Sequence, residues 1–156
     1  MKHRKSWHEK LTDSKGLPKV EPIAESMSSR WGTGTIVIPA PIEVDEMMQR
    51  VAKGKLTTIN EIRAALALRH DASICCPITT GIFAMIASRA AADDEADGKK
   101  KITPYWRTLK SGGELNPKYP GGIEEQRVRL EDEGHTVMLK GKRAIVRDYE
   151  RFLAKL

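Results

Sequence analysis

Apolar residues in the middle of the chain recur at the spacing expected for helices with one buried face. Val44, Met47 and Val51 follow a period near 3.6 residues, which is typical of an amphipathic helix. This first helix is predicted over residues 42–51, and Gly54 marks the region where it has ended.

A second helix is predicted directly after the first, and its start is signalled by side-chain chemistry. Thr58 is followed three residues later by Glu61, which is the spacing of a capping box. Ile59, Ile62 and Leu66 then recur at helical spacing and are expected to form its buried stripe.

The third helix is predicted to begin at Pro77, a residue favoured in the first turn, and to stop at Gly98. Ile78, Ile82 and Ile86 would share one face of it. The connection HDASICC between the second and third helices is short. The pair is therefore a candidate helix-turn-helix, with the third helix as the one that reads DNA.

The rest of the chain mixes strand and helix patterns. IVIPAP at 36–41 is predicted to be a short extended segment, and GGIEEQRVRLEDEG is predicted to be a fourth helix that ends at Gly134. HTVMLKGKRAIV contains two strand-like runs around residues 140–143, which predicts a hairpin, or wing, with a basic tip. DYERFLAKL is predicted to be a short closing helix capped by Asp148.

Residues 1–34 differ from the rest because glycine and proline interrupt every periodic run. They are predicted to be a basic, partly ordered arm that can dock through Trp7, Leu11 and Leu17. Residues 35–156 are predicted to be an α+β domain, mainly α, with a winged-helix-like arrangement of the helix-turn-helix and the small β-hairpin.

Composition narrows the class of partner. The 156 residues are 40% apolar and 31% charged, and no apolar run approaches the ~18 residues of a membrane span. No secretory signal follows the basic N-terminus, so a cytoplasmic location is expected. The protein is also expected to be a monomer. The 27 basic and 21 acidic residues give a net charge of +6, which suits a polyanion such as double-stranded DNA but is also found in proteins that bind no nucleic acid.

The two cysteines, Cys75 and Cys76, are adjacent in the sequence. Neighbouring α-carbons are only about 3.8 Å apart, which is poor geometry for a disulfide. Together with four scattered histidines they make a weak metal site, so no metal or cofactor is expected. Two alternatives remain open: buried inert thiols, or a reactive thiol activated by the helix start at Pro77.

Motif order adds a family resemblance. KGKLTTINEI, the Thr-Thr-Gly helix, PYWR, YPGG and LEDEGHT occur in this order across residues 43–138. The order resembles the DNA-binding and active-site domain of the methylguanine-DNA methyltransferases and their alkyltransferase-like relatives. In that family a Pro-Cys-His-Arg motif supplies the cysteine that takes an alkyl group from a base flipped out of the duplex.

Here Pro104 and Arg107 match that motif, whereas Tyr105 stands in place of the cysteine and Trp106 in place of the histidine. Methyl transfer needs an easily deprotonated nucleophile with a base beside it, and a phenol with a pKa of ~10 is neither. The resemblance therefore implies binding without repair, as in the alkyltransferase-like relatives that have tryptophan in place of the cysteine.

Other positions of the family pattern are partly kept. Glu133 matches the glutamate that supports the family's histidine, and Tyr119 matches the loop that covers the flipped base. The arginine that fills the gap in the duplex maps to Gly81, and the tyrosine that rotates the nucleotide maps to Ile59. Because base flipping costs a few kcal/mol, these two losses favour generic duplex binding.

Two sets of candidate site residues follow. The pocket set is Pro104, Tyr105, Trp106, Arg107, Tyr119 and Glu133. The DNA-contact set is Thr58, Arg63, Arg69, Thr79, Thr80, Lys140, Lys142 and Arg143. Each set has a structural alternative: the threonines as helix caps, the wing as a solvated turn, and the aromatic residues as core.

Three function classes are consistent with these patterns. The first is a non-catalytic, DNA-binding alkyltransferase-like protein linked to DNA repair or alkylated-base recognition. The second is a ligand- or protein-binding module on the same scaffold, with the basic arm recruiting a protein partner. The third is an alkyl acceptor that uses Cys75 or Cys76.

Overall fold

A computed structural model describes residues 4–156; the first three residues of the predicted arm lie outside this range. Three helices form its centre: α3 (Pro41–Gln49), α4 (Ile59–Arg69) and α5 (Pro77–Ala96). They pack together because each has an apolar face. The largest fully buried side chains that these three helices contribute to the core are Val44, Met48, Ile62 and Leu66.

The predicted starts of α4 and α5 and the stop of α5 are confirmed, although the Thr58–Glu61 capping box is present only as the cap by Thr58. The Thr58 hydroxyl accepts a hydrogen bond from the Glu61 amide at 3.2 Å, which satisfies one of the unpaired donors at the start of α4. Pro77 lies in the first turn of α5, where its missing amide hydrogen is not needed. Gly98 follows the end of α5 with a φ of 88°, a conformation that glycine adopts without strain.

The predicted buried stripe of α5 is wrong in its first half. Ile78 is 62% exposed and Ile82 is 47% exposed, whereas only Ile86 is buried. The face that packs on the core is instead formed by small residues such as Ala84 and Ala87. Alanines let a neighbouring helix approach closely, so the isoleucines of the first two turns are left pointing outward.

The N-terminal region contains α1 (Trp7–Thr12), β1 (Lys19–Pro22) and the short α2 (Ser28–Trp31). Leu11 is buried and Trp7 packs beside it on the central core, so α1 is docked on α5 and α3. Strand β1 was not predicted, because a four-residue segment ending in proline has no readable alternation.

A small sheet joins this region to the helices. Strand β1 runs antiparallel to β2 (Thr35–Ile38), which runs parallel to β4 (Ile74–Cys75). Strand β2 confirms the extended segment expected around IVIPAP. The sheet therefore connects the docked arm, through main-chain hydrogen bonds, to the linker between α4 and α5.

A second core cluster lies under the C-terminal elements. Strand β3 (Thr57–Thr58) pairs in parallel with β5 (Thr108–Leu109), and α6 (Gly122–Asp132) follows. Strands β6 (Val137–Lys140) and β7 (Arg143–Val146) form the predicted antiparallel hairpin. Six apolar residues are buried in this cluster: Leu56, Leu109, Leu115, Leu130, Ala144 and Val146.

The chain closes differently from the expectation. Tyr149–Phe152 forms a single 3₁₀ turn rather than an α-helix. Asp148 has a φ of 54° and its side chain makes no capping hydrogen bond, so the predicted cap is wrong. Over residues 4–156, no helix is both long enough and apolar enough to cross a membrane.

Candidate nucleic-acid interface

The Pro-Tyr-Trp-Arg segment forms a 3₁₀ turn, Tyr105–Arg107, directly after Pro104. The Tyr105 side chain is only 1% exposed. Its ring meets the Trp106 ring edge to face at 5.3 Å between centroids and the Tyr119 ring at 5.7 Å. This is the geometry of packed aromatic residues, so Tyr105 and Tyr119 lie in the core.

Burial also determines the chemistry of these phenols. It raises the pKa of Tyr105 above its ordinary value, although the nearby Arg129 guanidinium opposes the shift, and it raises the pKa of Tyr119 as well. Both hydroxyls are therefore neutral at physiological pH. A buried neutral phenol is not a nucleophile for alkyl transfer.

Arg129 is a component of this cluster that the sequence analysis did not single out. Its guanidinium lies 4.7 Å from the Trp106 ring centroid and 5.5 Å from that of Tyr105. Glu125 accepts from its Nε at 2.9 Å, and Glu95 accepts from its Nη2 at 2.5 Å. The i, i+4 pair of Glu125 and Arg129 was visible in the sequence, but the contact with the aromatic rings depends on tertiary packing.

Arg107 and Glu133 form an ion pair below the turn. Arg107 Nη2 donates to Glu133 Oε2 at 2.6 Å and Arg107 Nε donates to Glu133 Oε1 at 2.9 Å. Arg107 Nη1 also donates to the Val51 carbonyl at 2.7 Å. The structure thus brings together all six residues of the pocket set, but these contacts are internal and close-packed.

Two residues of the DNA-contact set have internal roles. Thr58 is buried and its hydroxyl caps α4. Thr80 is fully buried and its hydroxyl donates to the Cys76 carbonyl at 2.7 Å. As a correction to the sequence analysis, neither hydroxyl is accessible to a phosphate or base edge in this structure.

The arginines of α4 are also occupied within the protein. Arg63 Nε donates to the Cys75 carbonyl at 2.8 Å, and Arg69 Nη1 lies 3.3 Å from Glu43 Oε2. Thr79 is half-buried, and its hydroxyl has no hydrogen-bond partner within residues 4–156. Arg69 remains exposed enough to turn toward a ligand, whereas Arg63 is part of the α4 to β4 connection.

The hairpin tip is the most accessible part of the candidate interface. Lys140, Lys142 and Arg143 are all exposed, with Gly141 completing the turn at a φ of 62°. Arg143 Nε lies 3.5 Å from a carboxylate oxygen of Glu114. Glu114 also bridges to Ile145 of β7, so the preceding loop is fixed to the hairpin.

This arrangement is similar to two solved structures from S. pombe. One is Atl1 in complex with damaged DNA containing O6-carboxymethylguanine, with a TM-score of 0.53 and 17% identity. The other is ATL in complex with DNA, with a TM-score of 0.54 and 16% identity. In each case the similarity covers 74% of this chain and 94% of the other. This chain has the alkyltransferase-like fold.

The similarity to these two structures is a similarity of fold. No protein-family model matches the chain. No curated protein matches it either. The likeness to Atl1 therefore rests on the arrangement of helices and strands, and roles of individual residues must be argued from this structure.

Within the alkyltransferase-like fold of this chain, the two cysteines are free and buried. Cys75 Sγ lies 3.3 Å from the Thr80 hydroxyl, and burial raises the pKa of the Cys75 thiol above its ordinary value. A protonated buried thiol is a poor nucleophile, which favours the inert alternative over an alkyl acceptor. In the part of the chain that is described, no cluster of histidine, cysteine and acidic residues could hold a metal ion.

The outward face of α5 borders a groove on the protein surface. A groove of about 450 Å³ separates the helix from the loop that precedes Tyr119. Arg89 of α5 contacts the same loop, since its Nη2 donates to the Lys118 carbonyl at 3.0 Å. The lining residues of the groove are Ile78, Gly81, Ile82, Met85, Lys110, Asn116, Pro117 and Lys118. The two lysines were not recognised from sequence because they are isolated charges in a glycine-rich loop.

Proposed function

We propose that this protein is a non-catalytic, alkyltransferase-like protein that binds double-stranded DNA and serves in the recognition of alkylated bases. In this proposal α4 and α5 act as a helix-turn-helix, α5 is the reading helix, and the β6–β7 hairpin is the wing of a winged-helix domain over residues 35–156. The observation that supports it most is the fold shared with Atl1, which was solved bound to damaged DNA.

The non-catalytic part of the proposal is supported by Tyr105. The family resemblance assigns the alkyl-acceptor cysteine to this position. Here the residue is buried, has a raised pKa and packs edge to face on Trp106. The Arg129 guanidinium lies 5.5 Å from its ring centroid. The turn is therefore proposed to stabilise the fold rather than to accept an alkyl group.

The DNA-facing surface is proposed to run from the hairpin to α5. Two contacts support this proposal: Glu114 bridges the hairpin to the preceding loop, and Arg89 of α5 donates to the Lys118 carbonyl of the same loop. Exposed basic residues occur on each of the first two: Lys140 and Lys142 on the hairpin, and Lys110 in the loop. Contacts to phosphates by such residues position a protein on the duplex without reading its sequence.

The test compares an end-labelled duplex containing one O6-alkylated guanine with the unmodified duplex, using fluorescence anisotropy at low salt. Both are expected to bind, the alkylated duplex more tightly, and the intact protein mass is expected to stay unchanged after incubation. An added alkyl group on the protein would refute the non-catalytic assignment. Equal affinities for the two duplexes would refute alkylated-base recognition. Absence of binding to both duplexes would refute the proposed function.

A second candidate function, a ligand-binding module, is supported by a cleft of about 450 Å³ beside Pro104. Asp45 lies in its wall, accepts from Thr103 Oγ1 at 2.7 Å and from Gln49 Nε2 at 2.6 Å, and has its pKa raised by burial. His8, Leu11 and Thr12 of α1 also line this cleft. Native mass spectrometry of the purified protein tests this: a small molecule retained with Asp45 intact and lost in Asp45→Asn favours the module.

A cytoplasmic, monomeric state and an arm boundary at residue 34 belong to the same proposal. Sedimentation velocity of the full chain tests the monomeric state, and a single species near 17.4 kDa is expected. A stable dimer would contradict it.

A further inference from the structure

A further groove, of about 230 Å³, lies between the docked arm and the first half of α5. We call it the arm groove. The arm, the first residue of α3 and three residues of α5 contribute to its walls. The motif order that resembles the methylguanine-DNA methyltransferases begins at residue 43, so the arm side of this groove lies outside that resemblance.

The apolar part of the arm groove has room for one large side chain. It is formed by Leu17, Pro41, Ile82, Phe83 and Ile86. Leu17 and Phe83 are half-buried, and Ile82 is 47% exposed. An apolar cavity of about 150 Å³ accommodates benzene, so a groove of this volume accommodates an aromatic or aliphatic side chain. An exposed apolar surface bordered by polar residues is typical of a binding site.

The charged residues of the arm groove are mainly basic. Within residues 4–156 they are three lysines and one aspartate: Lys5, Lys10, Lys15 and Asp13. Asp13 forms an ion pair with Lys5, and its Oδ1 accepts from the Lys15 amide at 3.2 Å. The one carboxylate is therefore already compensated, and the groove keeps a positive charge.

Local structure holds these lysines beside α5. Lys10 lies over the Trp7 ring at 4.3 Å from its centroid, and Trp7 packs on the central core. After α1, Lys15 adopts a φ of 51° in a turn that the Leu17 amide closes by donating to the Ser14 carbonyl at 2.9 Å. The groove is therefore formed before a partner arrives, which lowers the entropic cost of binding.

We propose that the arm groove binds an acidic peptide segment of another protein. One large apolar side chain of the peptide enters between Leu17, Ile82 and Phe83, and the flanking carboxylates face the lysines. This inference goes beyond the proposed function, because it concerns a protein partner and not DNA. The apolar anchor supplies most of the affinity, and the complementary charge directs association.

Two other partners are less well matched to the arm groove. A DNA duplex offers phosphates to the lysines but has no large apolar side chain to fill the apolar part. A second copy of the chain offers exposed apolar residues such as Leu68, Val128 and Leu139, each of which is next to an arginine or lysine in the sequence. Their positive neighbours would face the positive charge of the groove.

The experiment uses the full chain and a fluorescein-labelled synthetic peptide in which one phenylalanine lies between two runs of aspartate and glutamate. Fluorescence anisotropy at low salt is expected to show saturable binding. Replacement of the phenylalanine by serine is expected to weaken binding roughly tenfold, equivalent to about 1.4 kcal/mol. Replacement of the acidic residues by asparagine and glutamine is expected to weaken it as well and to abolish its salt dependence. Both comparisons use the wild-type protein, so they do not depend on the folding of a variant.

Ile82→Ser and Lys15→Glu test the apolar and the basic part of the groove. Each is expected to weaken binding of the phenylalanine peptide roughly tenfold, because one removes apolar contact and the other reverses a charge. Ile78→Ser is the matched control for the first, since Ile78 lies one turn earlier on α5 and does not line the arm groove. Lys53→Glu, on an exposed turn, is the control for the second. Both controls are expected to bind the peptide as the wild type does.

Several outcomes overturn the inference. Absence of peptide binding at low salt, equal affinity for the phenylalanine and serine peptides, or a groove variant that behaves like its control would each do so. A concentration-dependent dimer that Ile82→Ser abolishes would assign the groove to a second copy of the chain.

Duplex binding of the same variants separates this inference from the proposed function. If Lys15→Glu weakened duplex binding far more than Lys53→Glu did and left peptide binding unchanged, the lysines would belong to the DNA interface and the peptide site would be refuted. Because peptide and duplex affinities are measured separately, failure of the peptide site and failure of DNA binding are distinguishable.

Discussion

Removal of the charge on Glu133 is expected to destabilise the protein strongly. The side chains of Arg107 and Glu133 are only 13% and 7% exposed, and Arg107 donates to both carboxylate oxygens. Glu133→Gln keeps the shape of the side chain and leaves the guanidinium buried without a counter-charge. The effect should therefore report the charge and not a change in packing.

The size of the effect follows from burial. Breaking a buried ion pair by removing one partner costs about 3–5 kcal/mol. Because Arg107 keeps its hydrogen bond to the Val51 carbonyl and some exposure to water, we expect the lower end, about 3 kcal/mol. For a domain of this size, that corresponds to a fall in Tm of about 6–12 °C.

Urea denaturation of wild type, Glu133→Gln and Glu131→Gln measures this directly. Glu131 pairs with Arg127 on the surface of α6, where such an i, i+4 pair contributes only about 0.3–0.5 kcal/mol. If Glu133→Gln lost no more stability than Glu131→Gln, the pair would not stabilise the turn. The assignment of Arg107 and Glu133 to the core would then be wrong.

Three further predictions concern the hairpin, a buried histidine and a buried thiol. Lys140→Gln/Lys142→Gln is expected to reduce the slope of log K against log salt for duplex binding by about 1.8, because each lost phosphate contact removes about 0.9. Lys53→Gln, on an exposed turn, is the control. An unchanged slope in the double variant would refute the role of the hairpin. Burial lowers the pKa of His135 from its ordinary 6.5. The folding stability that depends on neutral His135 is therefore fully present above pH 6.5 and is lost as the pH falls below 6.5. The wild-type urea midpoint should therefore fall from pH 7.5 to pH 5 by more than that of His135→Phe, and equal falls would contradict this. Because burial raises the pKa of Cys75, iodoacetamide at pH 8 should label it only after unfolding in urea, and rapid labelling of the folded protein would restore the reactive-thiol alternative.

Much of the fold could be predicted from local signals. Helices α3 and α4 were found because apolar residues recur at helical spacing, and the starts of α4 and α5 were found because Thr58 and Pro77 mark them. The β6–β7 hairpin was found because two strand-like runs flank a short turn. In these segments one face is buried and one is solvated, so the sequence records the period of the element.

The candidate site was harder to predict, because its geometry depends on packing between distant segments. The pattern Ile78, Ile82 and Ile86 looks like a buried stripe, yet alanines of α5 face the core and leave the first two isoleucines exposed. Thr80 has the composition of a DNA contact but points into the protein. Hydrophobic periodicity alone could not distinguish a face that packs on the core from a face available to a partner.

The structure of the N-terminal arm was also only partly predictable from the sequence. Trp7 and Leu11 pack on the central core, in agreement with their expected role in docking, whereas the pairing of β1 with β2 was not predicted. The arm lysines reach α5 because of that packing. No local signal in the sequence indicated which surface they would border.

A salt titration of the affinity for an unmodified duplex tests the central claim most directly. If the hairpin and the loop beside α5 contact five or more phosphates, log K should fall linearly with log salt with a slope of about −4.5 or steeper. Undetectable binding at low salt, or an affinity that does not change with salt, would contradict the claim that this alkyltransferase-like fold binds the DNA backbone.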